Sequence, residues 1–230
     1  MLDLHYARTP NGMKLKLFME ELEDLGVAPP HRWHLVRLSA GEQHTPAFLA
    51  ISPNNKIPAI VDNAPADGGA PLPIFESGAI LQYLAEKTGH LLPREPRAKW
   101  ETLQWLTWQV AGLGPMAGQS GWFRRLATQE DLFAIDRYTR ETHRLYGVLD
   151  RRLEGRKFIA GDAYSIADIA CFPWIVSHKG HGQSLADFPN LARWFDSIRE
   201  RPAAQRAFAD YQDPYVNSKY GMRKDEEATA

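Results

Sequence analysis

Two short segments carry the chemistry that can be read in this chain: Asn54-Asn55-Lys56-Ile57-Pro58-Ala59-Ile60 and Phe75-Glu76-Ser77-Gly78-Ala79-Ile80. An Ile-Pro step at the entrance to a strand is a place for a cis peptide bond, a geometry found almost only before proline. There Ile57 presents its N–H and C=O outside the sheet, ready to pair with an extended ligand. Glu76-Ser77 stands where a strand hands over to a helix. Backbone N–H groups at a helix start favour a carboxylate, and the Glu76 side chain can accept from an ammonium. Backbone pairing at one end and capture of an amino-acid head at the other describe a site for a tripeptide.

Those segments need a scaffold, and hydrophobic spacing outlines one. Residues 2–6 read as a short strand. Thr9-Pro10-Asn11-Gly12 is turn chemistry with proline suited to a first helical position. Residues 13–25 follow with Leu15, Phe18, Met19, Leu22 and Leu25 at helical spacing. A second strand is expected over 33–38, a short helix over 45–50, and a hairpin over 59–62 and 72–75 around Asp67-Gly68-Gly69. Residues 77–87 close this part as a helix. The order is too short for a doubly wound nucleotide fold and fits a small α/β unit, with no glycine-rich phosphate loop.

Leu91-Leu92-Pro93-Arg94-Glu95-Pro96 is a proline-punctuated linker, after which the pattern turns helical. Helices are expected over 98–110, 129–153, 188–199 and 203–211. Another starts at Ser165, with Asp168 in the capping-box position three residues on. The chain therefore divides into an α/β domain over 1–87, a linker over 88–97, an all-helical domain over 98–212 and a charged tail over 213–230.

Composition excludes several functions. Hydrophobic residues at 44% and charged residues at 24% are those of a globular protein. A formal net charge of −1 gives no support to a nucleic acid or an anionic membrane surface as partner. No apolar run approaches the ~20 residues that span a bilayer. The N-terminus lacks the regions of a secretory signal. The single cysteine, Cys171, cannot close an internal disulfide, which suits a reducing cytoplasm and excludes a two-thiol redox motif. Its place after Ile169-Ala170 reads as core. His31/His34 and His178/His181 lack cysteine or clustered carboxylate partners, so no metal is expected. Trp100, Trp105, Trp108, Trp122 and Phe123 are expected mostly to pack the helical core rather than line a pocket.

In this order, a strand-entry Ile57-Pro58, a Glu76-Ser77 helix start and a Ser165-x-x-Asp168 cap resemble the cytosolic glutathione transferase superfamily. The likeness runs over the whole chain except the tail. It implies a thioredoxin-like N-terminal domain followed by an all-α C-terminal domain, a homodimer, and glutathione, reduced or oxidised, as co-substrate. A narrower likeness lies in Thr9-Pro10-Asn11-Gly12-x-Lys14, Ser52-Pro53-Asn54-Asn55-Lys56-Ile57-Pro58-Ala59-Ile60, Pro65-Ala66-Asp67-Gly68-Gly69 and Leu113-Gly114-Pro115-Met116. These are similar to the bacterial Nu-class enzymes, which are glutathione-dependent disulfide-bond reductases. That likeness implies catalytic Thr9 and Asn11 beside the glutathione sulfur, and Ile57 paired with the cysteinyl unit. It also implies Glu76 and Ser77 at the γ-glutamyl end, Gln43 and Lys56 near the glycyl end, and Arg137 reaching over from the helical domain. Tyr6 stands where tyrosine-type glutathione transferases keep a catalytic hydroxyl, but its expected role here is packing at a sheet end.

Thiol chemistry of this kind needs a thiolate. With no cysteine near the first helix, the sulfur must belong to bound glutathione. The helix N-terminus contributes roughly 0.3–1 kcal/mol toward ionising it. Hydrogen bonds from Thr9 and Asn11 would favour the charged form further. At about 1.36 kcal/mol per pKa unit, a lowering by about one to two units is expected. The leading expectation is reduction of small disulfides at glutathione's expense, with some conjugation. A detoxifying transferase acting on organic electrophiles is the alternative enzyme. A non-catalytic binding or regulatory module is the alternative of another class.

Overall fold

Leu2 and Leu4 are buried on one face of the first strand, β1 (Leu2–Tyr6), and that apolar face anchors the sheet. In the computed structural model, which describes residues 1–211, β1 pairs in parallel with β2 (His31–Leu35) and antiparallel with β3 (Ala59–Asp62). β3 pairs antiparallel with β4 (Leu72–Phe75), giving the order β2-β1-β3-β4. The tail expected over 213–230 lies outside the described residues. A parallel step needs a crossover, and α1 (Pro10–Asp24) supplies it between β1 and β2. β2 stops at Leu35, short of 38, because its partner strand ends at Tyr6, directly opposite. The chain then turns through Leu38–Ala40 and α2 (Pro46–Leu49). After β4 it enters α3 (Ser77–Thr88).

α1 begins earlier than apolar spacing indicates. Thr9 is its N-cap, with the hydroxyl oxygen accepting from the Gly12 N–H at 3.3 Å, and Pro10 occupies the first turn, where its missing N–H costs nothing. Gly12 is required for a close approach: a Cβ there would stand 2.0 Å from the Ala7 carbonyl oxygen. Gly12→Ala is therefore expected to destabilise the protein by about 1–3 kcal/mol as α1 is pushed off the β1 turn. Thermal unfolding reads this directly, and an unchanged melting temperature would show that the turn relaxes freely.

The second half is helical: α4 (Pro96–Trp108), α5 (Gly114–Gly121), α6 (Leu132–Leu153), α7 (Ile166–Val176), α8 (Pro189–Arg199) and α9 (Pro202–Phe208). The helix expected to end at 110 instead continues through widened turns at Gln109–Leu113 and Trp122–Leu126. Pro115 falls in the first turn of α5, and the wide turn before it absorbs the Gly-Pro step. Trp105 and Trp108 pack against the core as expected. Trp100 and Trp122 do not; they sit on outward helix faces, 70% and 46% exposed.

The expected cap at Ser165 is present, and Asp168 does more than close it. Its buried carboxylate accepts from the Ser165 N–H (3.0 Å), the Ser165 hydroxyl (3.1 Å), the Ile159 N–H (2.9 Å) and the Trp194 indole (2.9 Å). One side chain thus joins the loop before α7 to α7 and α8. Burial pushes this carboxyl above the usual carboxylate range, against the pull of its donors.

The two halves meet along α1. Arg201 donates to both carboxylate oxygens of Glu21, and Arg206 pairs with Glu20 and Asp24. α1 is thereby tied to α9 and also packs against α7, so its N-terminal residues lie at the seam between the halves. No helix among the described residues is long and apolar enough to cross a membrane. No three His, Cys, Asp or Glu side chains gather as a metal site among them.

Candidate active site

A cavity of about 300 Å³ opens where α1, the approach to β3, the β4–α3 junction and the helical layer converge. Asn11, Lys56, Ile57, Glu76 and Ser77 all line it, although they are scattered over 67 positions of sequence from Asn11 to Ser77 (77 and 11, inclusive). The N-terminal turns of both α1 and α3 face this space, and the positive ends of the two helix dipoles give it a positive character.

Asn11 is the second residue of α1. Its Oδ1 accepts from the Trp174 indole Nε1 at 3.2 Å. An indole N–H can only donate, so the amide orientation is set: the oxygen faces Trp174 and the two N–H donors are left for the cavity. Gly114 and Gly118 leave room for that tryptophan; a Cβ on Gly118 would lie 3.2 Å from its ring.

The Ile57-Pro58 bond is cis. Ile57 lies just outside the sheet ladder, which starts at Ala59, and its side chain packs beside Val36, Phe48 and Ala59. Ile57 thus lines the cavity while its packing anchors the turn. Ser52, whose hydroxyl donates to the Lys56 carbonyl at 2.8 Å, closes the same loop.

Glu76 stands at the cap position of α3 with φ 70° and ψ 118°. A non-glycine residue held there costs on the order of 1–3 kcal/mol, and such conformations cluster at ligand sites. Ser77 follows as the first helical residue, and its hydroxyl oxygen accepts from Lys14 Nζ at 3.0 Å.

Lys14, present only as part of a motif and given no role, and Gln109, not singled out at all, are what sequence reasoning missed. Lys14 is 1% exposed, donates to Gln109 Oε1 at 2.5 Å as well as to Ser77, and lines the cavity. Burial pushes its ammonium down to about 7, with the Glu76 carboxylate acting in the other direction. A legible signal existed: Leu17, Phe18 and Glu21, at helical spacing from Lys14, are buried on the same stripe of α1. Gln109 opens the first widened turn, and its Nε2 is buried without a partner among the described residues. Wide turns of this kind recur at functional sites.

Other candidates lie apart. Thr9 caps α1 at the cavity's edge and is not among the lining residues. Gln43 sits on the Glu42–His44 turn with a buried, unpartnered Oε1. Arg137 lines a separate recess on α6 with Met116, Tyr138 and Arg144. Tyr6 packs edge-on against Trp33, with ring centroids 4.9 Å apart. Cys171 is completely buried, and burial pushes its thiol far up.

Comparison with known proteins accords with this geometry. Residues 14–87 match the family model for the glutathione S-transferase N-terminal domain, and residues 120–202 match that for the C-terminal domain. The disulfide-bond oxidoreductase YfcG of Escherichia coli (strain K12) is 53% identical over 92% of this chain and 96% of its own length. YghU of the same organism, also named a disulfide-bond oxidoreductase, is 38% identical over 89% of this chain and 73% of its own. Among solved structures, a glutathione transferase from Burkholderia graminis with two glutathione molecules per subunit superposes with a TM-score of 0.83. It is 45% identical over 91% of this chain and 88% of that one. One from Pseudomonas putida, with a glutathione disulfide bound per subunit, gives a TM-score of 0.83 at 43% identity over 92% of each chain. With the thioredoxin-like sheet, the cis Ile57-Pro58 turn and the helical layer all in place, the chain belongs to the glutathione S-transferase family.

Proposed function

We propose that this protein reduces small disulfides with glutathione, using the thiolate of the bound tripeptide and no cysteine of its own. The observation that carries this reading is the Asn11 amide, turned by Trp174 so that its N–H donors face the cavity at the start of α1. Support comes from relatives named disulfide-bond oxidoreductases and from a neighbour that holds glutathione disulfide.

The chemistry is thiol–disulfide exchange. The bound thiolate attacks one sulfur of the substrate disulfide; that S–S bond breaks, a mixed disulfide forms and a thiolate leaves. A second glutathione thiolate attacks the mixed disulfide, releasing the second substrate thiol and glutathione disulfide. Asn11 and Thr9 stabilise the anionic sulfur. Ile57 pairs with the cysteinyl backbone, Glu76 accepts from the γ-glutamyl ammonium, and Ser77 with the α3 N-terminus receives its carboxylate. Lys56 is assigned to the glycyl end, and Gln43 and Arg137, which lie outside this cavity, to its outer approaches, Arg137 from its own or a partner subunit. We assign the domains to 1–87 and 98–212 about the 88–97 linker, the active form to a homodimer and the compartment to the cytoplasm.

Glutathione-dependent reduction of a small aliphatic disulfide, followed by coupled regeneration of glutathione, tests the reading. Cys171→Ala is expected to stay within about twofold of the parent rate, because a buried thiol of raised pKa supplies no nucleophile. Loss of turnover in a folded Cys171→Ala protein would sink the mechanism. Conjugation of electrophiles far outpacing disulfide turnover would favour the transferase reading of the same thiolate.

A further inference from the structure

Lys14 is an unusual occupant of a cavity wall. Its ammonium has three N–H donors, and two go to neutral oxygens, those of Ser77 and Gln109. Among the described residues, no carboxylate forms an ion pair with it. A cation so deeply buried without a counter-charge is unfavourable, yet this one opens onto a cavity built for a ligand. The titratable groups that face it are Glu76 from the β4–α3 junction and Cys171 from α7, and the latter stays a neutral thiol. Lys56 lines the same cavity. Arg201, just before α9, and Arg206, on it, are already tied to Glu20, Glu21 and Asp24 further along α1.

We propose that Lys14 is a positioning residue whose counter-charge is the ligand itself: the α-carboxylate of the γ-glutamyl unit, received at Ser77, completes a buried ion pair with the Lys14 ammonium. The inference rests on the glutathione reading above and extends it to a proton. The Lys14 bond to the Ser77 oxygen turns the hydroxyl hydrogen away from the ammonium, leaving it to donate to the carboxylate. Gln109 ties the same ammonium to the helical layer.

Binding must then be linked to protonation. In the free cavity Lys14 loses its charge as pH rises through about 7. An arriving carboxylate favours the ammonium and raises that value. Affinity is therefore complete below the free value and declines between the free and bound values, by up to about tenfold per pH unit.

Calorimetry of S-methylglutathione in buffers of differing ionisation heat tests this, since the blocked sulfur releases no proton of its own. At pH about 8 the parent protein is expected to take up most of one proton per site, and at pH about 6 almost none. Lys14→Met is expected to bind at least about tenfold more weakly at neutral pH, with the uptake lost and the pH dependence flattened. The ligand's amine contributes equally in both proteins, so the difference belongs to Lys14. Equal uptake in parent and variant would overturn the proposal. Should Lys14→Met fail to fold, a parent affinity that stays constant between pH about 6 and 8 would overturn it as well. Absence of S-methylglutathione binding at every pH would instead remove the glutathione reading beneath it.

Discussion

Replacing Asn11 with alanine is expected to lower kcat for glutathione-driven disulfide reduction by about 10²-fold, because a single preorganised donor to an anion typically contributes that much. The argument rests on orientation rather than on the mere presence of an amide. The Trp174 indole holds Oδ1, so both N–H donors are committed to the cavity before any ligand arrives. KM for glutathione should change little, since Ile57, Glu76 and Ser77 remain in place. The apparent pKa of the bound thiol, followed by ultraviolet absorbance, should rise by about one unit. Trp174→Phe offers a second readout: it keeps the amide but frees it to flip, so its loss should be real and smaller. Asn11→Ala within about twofold of parent activity would remove Asn11 from the chemistry.

Asp168→Asn is expected to destabilise the fold by about 3 kcal/mol or more, although it preserves shape almost completely. Four donors converge on the carboxylate from Ser165, Ile159 and Trp194. An amide offers one accepting oxygen and turns its nitrogen, a donor, against donors that have nowhere else to go in a buried site. For a chain of this length the melting temperature should fall by at least about 6 °C. Asp168→Ala should behave similarly by leaving the same groups unpaired. Thermal unfolding at fixed protein concentration decides it. A shift below about 2 °C would mean that water or a rearranged loop satisfies the donors.

Local signals account well for what was legible. The hairpin strands Ala59–Asp62 and Leu72–Phe75 match the expected bounds because alternation and turn residues agree there. The Ser165–Asp168 cap and the cis Ile57-Pro58 step likewise follow from short-range chemistry. β2 ended early because its length is decided by its partner strand, a non-local fact. The helical path through Gly114-Pro115 was hidden because glycine and proline mark breaks, whereas widened turns let the helix run on. Lys14 and Gln109 are 95 positions apart in sequence, and no local pattern announces that one side chain will bond the other. The segments that meet the ligand could be read; for the second layer that orients them, the burial of Lys14 was legible in the α1 stripe but its partners were not.

Cys171 has one more consequence. It is the chain's single cysteine, and it is wholly enclosed with its thiol held protonated. Under the proposed chemistry the protein works among oxidised glutathione and mixed disulfides, the reagents that cap exposed thiols. It offers them nothing to cap. Its rate is therefore set from moment to moment by the ratio of reduced to oxidised glutathione around it, and no mixed disulfide with glutathione accumulates on the polypeptide. A catalyst of this design keeps no thiol-based redox memory.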